Sequence, residues 1–229
     1  MKNWIKIFLI VEIQIVLILV VVVITKTDNL ENKLYNTNMF VHEALISKQI
    51  QNINTINDND IVIGDANACV TMFLYSRFDC PACSDFFTEN YKLLKSEFID
   101  NGSLKLVVRY LVHPSKKNTL FVSKYSYYAN NLGLFDTYIK EAHNQFPKLD
   151  TISIYNFIQN ITVDQDSLRI FKNDKTIDQR LTEAATEIRN AEILSTPTMY
   201  IDDQRIVGNR NYHYLKNVIM TELSNTPCR

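Results

Sequence analysis

An α/β fold with a long helical insertion, set behind one N-terminal transmembrane helix and a stalk, is the architecture this sequence predicts. Three observations point to it. Two β-prone apolar runs, 70–75 and 104–112, bracket a helix with one clean apolar face, the order of a βαβ unit. A largely helical pattern then fills 119–193, followed by two short β-prone runs around a polar turn. Ahead of all of these, residues 7–24 are almost entirely Ile, Val and Leu.

That N-terminal run, with its flanks, spans roughly the 30 Å of a bilayer core at about 1.5 Å per helical residue. The stretch that ends it, Ile24-Thr25-Lys26-Thr27-Asp28, has no small-residue cleavage site and no following cysteine for lipidation, so residues 1–27 read as an uncleaved signal anchor. Lys2, Lys6 and the α-amino group favour a cytoplasmic N-terminus, a bias that Lys26 and Lys33 weaken. Glu12 and Gln14 are costly in lipid; a strongly apolar helix tolerates them, or they meet a partner helix. Residues 28–60 are polar and Asn-rich, with Leu30, Leu34, Val41, Leu45 and Ile46 at near-helical spacing. They read as a stalk that ends at Asn57-Asp58-Asn59-Asp60.

From residue 61 to 229 the patterns are those of one α/β domain. The run 70–75 is continuously apolar, as a strand buried on both faces would be. Phe87, Tyr91, Leu94 and Phe98 recur at i, i+4, i+7 and i+11, and Asn101-Gly102 closes that helix. The helical insertion covers about 115–193, broken at Pro147 and at 160–164, with Ile177, Leu181, Ala184 and Ile188 as its clearest stripe. Runs 198–201 and 205–207 flank Asp202-Asp203-Gln204 as a hairpin, and a last helix carries Tyr214, Leu215, Val218, Ile219 and Leu223. A formal net charge of −1 provides no basic footprint, which argues against nucleic acid as a partner.

The chemistry sits at Cys80-Pro81-Ala82-Cys83, between the strand at 70–75 and the helix. Two thiols three positions apart at a helix start can close a disulfide, and the unpaired N–H groups there stabilise a thiolate. Pro81 suits the first turn, where its missing N–H costs nothing. Cys80 is then the exposed nucleophile and Cys83 the shielded resolving partner. A closed zinc site needs a second ligand pair, but Cys69 and Cys228 are isolated and His42, His113, His143 and His213 lack ligand spacing. No metal or organic cofactor is called for. A purely structural disulfide is the remaining bland reading.

Residues 63–71 (IGDANACVT) and 76–83 (SRFDCPAC) resemble the DsbA-like branch of the thioredoxin superfamily. Residues 195–201 (STPTMYI) and 205–208 (RIVG) resemble that family's second signature, the loop and hairpin around its cis-proline. The resemblance covers roughly 61–223 and implies a thioredoxin-like fold with an inserted helical subdomain. It implies a cis Thr196-Pro197 peptide packed on the thiols, with the Thr196 backbone docking an extended substrate. It further implies a thiol–disulfide oxidoreductase acting on exported protein thiols and disulfides on the extracytoplasmic, periplasmic side, without a cofactor, and with a membrane redox partner if it works as an oxidase.

Several positions depart from the family pattern. Leu74 stands where an acidic residue often assists the buried cysteine, so the proton of Cys83 needs another route. Arg77 replaces an acidic or neutral residue and is expected to lower the Cys80 pKa, partly opposed by Asp79. Pro81-Ala82 lacks the histidine of the most oxidising relatives, which leaves the direction of electron flow open. Cys69 stands where proline is common; Cys69 and Cys228 either pair, tying the tail to the first strand, or remain a buried thiol and a free one. His113 reads as an exposed loop residue. The leading expectation is disulfide formation in exported proteins through this CPAC site. A reductase or isomerase of the same fold, or a peptide-holding or copper-binding module, are its rivals.

Overall fold

The structure, a computed structural model, describes residues 17, 19–31, 33–39, 41, 45, 48, 55–57, 60–202 and 204–225. The chain divides into two compact units, Met1–Ile50 and Gln51–Arg229. Every described residue of the first unit is helical and exposed, from Leu17 through the polar positions that follow. Among the described residues no helix is long and apolar enough to cross a membrane. Residues 7–16 and 18 of the apolar run lie outside the described residues, as do Glu12, Gln14, His42, Ile46 and Cys228.

The second unit is built on a five-stranded sheet in the order β1-β3-β2-β4-β5. Its strands are β1 (Ile61–Ile63), β2 (Val70–Ser76), β3 (Leu104–Tyr110), β4 (Thr198–Ile201) and β5 (Gln204–Val207). β2 lies at the centre, parallel to β3 and antiparallel to β4. Its two faces are both covered, which is why the run reads as continuously apolar rather than alternating. Val70, Met72 and Leu74 point into the main core with Leu104, Leu106, Val108, Met199 and Ile201. The opposite face carries Phe73 and Tyr75: Arg109 sits over the Phe73 ring, and Tyr75 packs edge-on against Tyr200.

Arg109 also fastens the start of the unit. Its guanidinium bonds both carboxylate oxygens of Asp60, the Nε–Oδ1 distance being 2.6 Å, and the Thr55 carbonyl at 2.8 Å. Thr55 and Asp60, which the sequence pattern assigns to the end of the stalk, are thus held against the sheet, Asp60 by a buried ion pair. β1 is an element the pattern does not reveal, because three residues are too few for a period. It pairs antiparallel with β3 and ends at Gly64 (φ +107°), where a Cβ would lie 2.8 Å from the Leu104 carbonyl oxygen.

A continuous helix, α1, runs from Pro81 to Ile99 through the α-turns Pro81–Asp85 and Tyr91–Leu94 and the π-turns Phe86–Asn90 and Lys95–Ile99. Phe87, Tyr91, Leu94 and Phe98 are all buried, as their spacing predicts. The C-terminal helix, here α7 (Tyr212–Asn225), is joined to α1 by hydrogen bonds: Tyr212 and Lys216 both donate to Glu97, while Asn90 donates to Asn209 and to the Arg210 carbonyl.

Between β3 and β4 lies the helical insertion: α2 (Lys117–Asn131), α3 (Phe135–Asn144), α4 (Thr151–Ile161), α5 (Gln165–Asn173) and α6 (Lys175–Asn190). Asp150, Asp164 and Asp174 cap the last three through their side chains. Both expected breaks are present, at the Phe146-Pro147 turn and at 162–164. In α6 the buried positions are Leu181, Ala185 and Ile188, not Ala184, which is exposed. Steps of three and four are both helical, so spacing alone does not choose between adjacent alanines.

His143 of α3 is buried, stacked between Phe78 (centroids 5.2 Å apart) and Phe87 (4.8 Å). Neither ring nitrogen has a hydrogen-bond partner. Burial alone pushes its pKa down to about 4. An unfolded chain binds this proton below about pH 6.5, whereas the folded chain binds it only near pH 4. Stability from this site is therefore complete above about pH 6.5 and is lost, by up to about 3 kcal/mol, as pH falls to 4. His143→Phe preserves the stack and removes the proton. Urea unfolding of that variant should depend less on pH than the native chain between about pH 7 and pH 5; identical pH dependence would show that His143 is not the titrating group.

Candidate active site

β2 ends at Ser76, and after the turn 77–79 the chain enters α1 at Cys80 with extended backbone (φ −112°, ψ 117°). Cys80 is the N-cap: its Sγ accepts from the Cys83 N–H at 3.3 Å, and its carbonyl accepts from Cys83 N and Ser84 N, both at 3.1 Å. A sulfur thus takes the position that Ser or Asp usually fills, so the orphan donor of the first turn points at the reactive atom. Pro81 occupies the first helical position, exposed, and Ala82 beside it is half-buried. Cys83, one turn inward, is fully buried.

These surroundings drive the two thiols apart. Cys80 falls from an ordinary 9.0 to about 6. The hydrogen bond from the Cys83 thiol contributes most, burial opposes it, and the Thr196 side chain, the Cys83 N–H and the Arg77 charge add to it in that order. Cys83 is pushed well up, first by burial and then by giving its proton to Cys80. One thiol is an anion at neutral pH and the other holds its proton, the division of labour that nucleophile and resolving thiol require.

The Thr196-Pro197 peptide is cis, and Cys80 Sγ lies 3.2 Å from the Thr196 carbonyl, to which it donates when protonated. Two bonds hold that loop: Thr198 Oγ1 to the Ser195 carbonyl (2.8 Å) and Gly208 N to the Pro197 carbonyl (2.8 Å). Arg77 stands close enough to act on Cys80, yet it is clamped on Asp79 by two bonds of 2.8 Å, and Lys116 meets the same carboxylate at 2.5 Å. The pair holds Asp79 down to about 2 against the effect of burial. The Arg77 charge lowers the Cys80 pKa, but less than the Cys83 thiol, Thr196 and the Cys83 N–H do.

Cys69 is disulfide-bonded, whereas Cys80 and Cys83 are free thiols. Cys228 lies outside the described residues. Among the described residues no cluster of three or more His, Cys, Asp or Glu could hold a metal ion. Leu74 is buried in the core, two positions before Ser76 on the same strand face. The Ser76 hydroxyl is fully buried without a hydrogen-bond partner, and its nearness draws the Cys83 pKa down against the larger effect of burial. Ser76 is the polar group on the inner side of the pair that the sequence pattern passes over. Its signal is the i+2 relation to Leu74.

Residues 56–221 match the sequence profile described as Thioredoxin, most of the chain. The chain belongs to the thioredoxin family. No curated protein matches it significantly. Several solved members of the fold are similar to it. They include alpha-DsbA1 of Wolbachia pipientis (TM-score 0.66, 20% identity, 76% of this chain and 96% of that one). Oxidised BdbD of Bacillus subtilis (0.64, 20%, 72% and 94%) is another. A third is the thiol-disulfide exchange protein alpha-DsbA2 of Wolbachia pipientis (0.62, 19%, 79% and 97%). At these identities the likeness is one of fold.

In this thioredoxin-family site, alkylation of the reduced chain by iodoacetamide should rise with a midpoint near pH 6. Cys83→Ala removes the strongest stabilising bond and should raise that midpoint by about one unit or more, with Arg77→Ala raising it less. A larger shift for Arg77→Ala would make the guanidinium charge, rather than the Cys83 thiol, the main stabiliser of the Cys80 anion.

Proposed function

We propose that this chain is a membrane-tethered thiol–disulfide oxidoreductase that forms disulfides in exported proteins. Cys80 is the nucleophile and Cys83 the resolving thiol. The observation that carries the proposal is the Cys80 sulfur held as the N-cap of α1, with a pKa near 6, over a buried and protonated Cys83. That alpha-DsbA2 is titled a thiol-disulfide exchange protein is in keeping with it.

In the oxidase direction a substrate thiolate attacks Cys80 Sγ of the Cys80–Cys83 disulfide. The S–S bond breaks, a mixed disulfide forms, and Cys83 leaves as a thiolate that takes up a proton. A second substrate thiolate then attacks the substrate sulfur of the mixed disulfide and expels Cys80 as the stabilised thiolate. Two electrons pass from substrate to the pair, and a membrane redox partner must remove them. Thr196 and Pro197 supply the wall along which an extended substrate aligns, the Thr196 carbonyl already meeting the reacting sulfur.

Thiolate stabilisation favours the reduced pair and so makes the pair more oxidising. At neutral pH the effect is at most about 30 mV, and less once solvent screening of the part-exposed sulfur is counted. That is small beside the roughly 150 mV separating reducing from oxidising pairs of this type. Direction therefore rests on the compartment. The tether supports an extracytoplasmic, periplasmic-side location: a helix whose described apolar positions, Leu17 and 19–24, are all exposed is suited to lipid. The division into an anchor at 1–27, a stalk at 28–60 and a catalytic domain at 61–229 belongs to the same reading. So does pairing of Cys69 with Cys228, which would limit fraying of the C-terminal tail.

Equilibration of the full chain in detergent against graded glutathione buffers tests this. An oxidising potential relative to glutathione is expected, with exchange lost in Cys80→Ser. A potential well below glutathione would make the protein a reductase, and absence of exchange would overturn catalysis altogether. Peptide mapping without reductant should yield a linked Cys69–Cys228 peptide; free thiols at both positions would refute the tie.

A further inference from the structure

We propose that the pocket lined by Arg77, Lys116 and Arg189 is a subsite for an acidic side chain of the substrate polypeptide, so that cysteines flanked by Asp or Glu react fastest. The proposal rests on the thiol–disulfide reading and names the substrate class of that same site.

The pocket has a volume of about 210 Å³, room for one side chain. Four separate stretches build it: Arg77 before α1, the segment after β3 with Leu111, Val112 and Lys116, Arg189 in the last turn of α6, and Leu194 in the loop leading to Thr196. Two of its lining residues, Arg77 and Leu194, belong to the segments that lead into Cys80 and Thr196. Arg77 precedes Cys80 by three residues and its charge acts on that sulfur. Leu194 precedes Thr196 by two, and the Thr196 carbonyl is 3.2 Å from the same sulfur. An extended substrate that brings its sulfur to Cys80 along Thr196 carries its neighbouring side chains past the pocket mouth.

The charge around the pocket is unbalanced. Arg77, Lys116 and Arg189 contribute three cations, and among the described residues Asp79 is the one carboxylate bound to any of them, shared between Arg77 and Lys116. Arg189 is positioned by neutral acceptors, the Val112 carbonyl at 3.0 Å and the Thr186 hydroxyl at 3.1 Å. Among the described residues it has no carboxylate within ion-pair distance, and neither Glu187 nor Glu192 lines the pocket. Its planar fork is held in place with donors to spare, the arrangement that suits bidentate recognition of a carboxylate. Val112 is buried behind it, and Leu194 is 75% exposed. These two provide an apolar surface for the methylenes of a Glu or Asp. A substrate Lys or Arg at that position meets like charge.

The test uses the full chain, reduced, in detergent. Its substrates are three matched peptides with one cysteine as a 2-thiopyridyl disulfide, flanked by Glu, Gln or Lys. The Cys80 thiolate attacks the peptide sulfur and expels 2-thiopyridone, which is followed by absorbance. Cys83 then displaces the peptide thiol and closes the Cys80–Cys83 disulfide, so two electrons pass from the pair to the peptide disulfide. At low salt the Glu peptide should react about fivefold faster than the Gln peptide and the Lys peptide more slowly still. The Glu-to-Gln ratio should fall toward one in molar salt and in Arg189→Gln, while Arg189→Lys retains part of it.

Equal rates for the three peptides with the native chain would overturn the subsite while leaving exchange intact. Absence of thiopyridone release from every peptide would overturn exchange itself. If Arg189→Gln does not fold, salt dependence of the native ratio decides alone, and a ratio unmoved by salt sinks the proposal.

Discussion

One contact organises this site's chemistry: that of Cys83, whose thiol and, to a lesser degree, whose N–H are directed at Cys80 Sγ across the first turn of α1. It exists because β2 delivers the chain to a helix start whose capping residue is a cysteine. The orphan donor that any helix must satisfy is spent on a sulfur, adding to the larger effect of the Cys83 thiol in favouring the anion. Burial of Cys83 by the same turn keeps the second thiol protonated and places its S–H on the first. The asymmetry of the pair thus follows from helix geometry and from the depth at which β2 ends, and no separate acid or base is required to create it.

The rest of the fold serves to hold that turn in place and give it a second wall. β4 pairs with β2, so the loop ahead of β4 comes to the ligand end of the central strand and sets the Thr196 carbonyl against Cys80. The insertion closes the other side through aromatic stacking, Tyr110 on Phe78, Phe78 on His143 and His143 on Phe87. Phe78 lies two residues before Cys80, so this stack holds the turn that leads into Cys80. An unpartnered imidazole in the middle is tolerated because it remains neutral, acting as a flat apolar ring.

Much of this is legible in the chain itself. The β2–α1–β3 order, the four-residue motif at a helix start, the breaks in the insertion and the hairpin before the last helix all follow from local period and capping rules. Weaker local signals fail. β1 is too short to show a period, and Ala184 competes with Ala185 for the buried stripe because both spacings are helical. Arg77, being near in sequence, reads as a tuner of Cys80. In the structure its charge acts less on Cys80 than the Cys83 thiol does, and its guanidinium is bound to Asp79, which also meets Lys116.

The sequence alone determined where the thiol pair lies and the secondary structure that presents it, because a helix N-terminus and an i, i+3 cysteine pair are local facts. Tertiary structure decided the environment. Thr196 is 116 residues from Cys80 and Arg189 is 77 residues from the Val112 carbonyl that fixes it. Ser76, Asp79 and Lys116 gained their roles only when strand, turn and insertion were packed together. Charges and hydrogen-bond donors act over a few ångströms whatever their separation along the chain, so the residues that tune a site come from wherever the fold brings the backbone close.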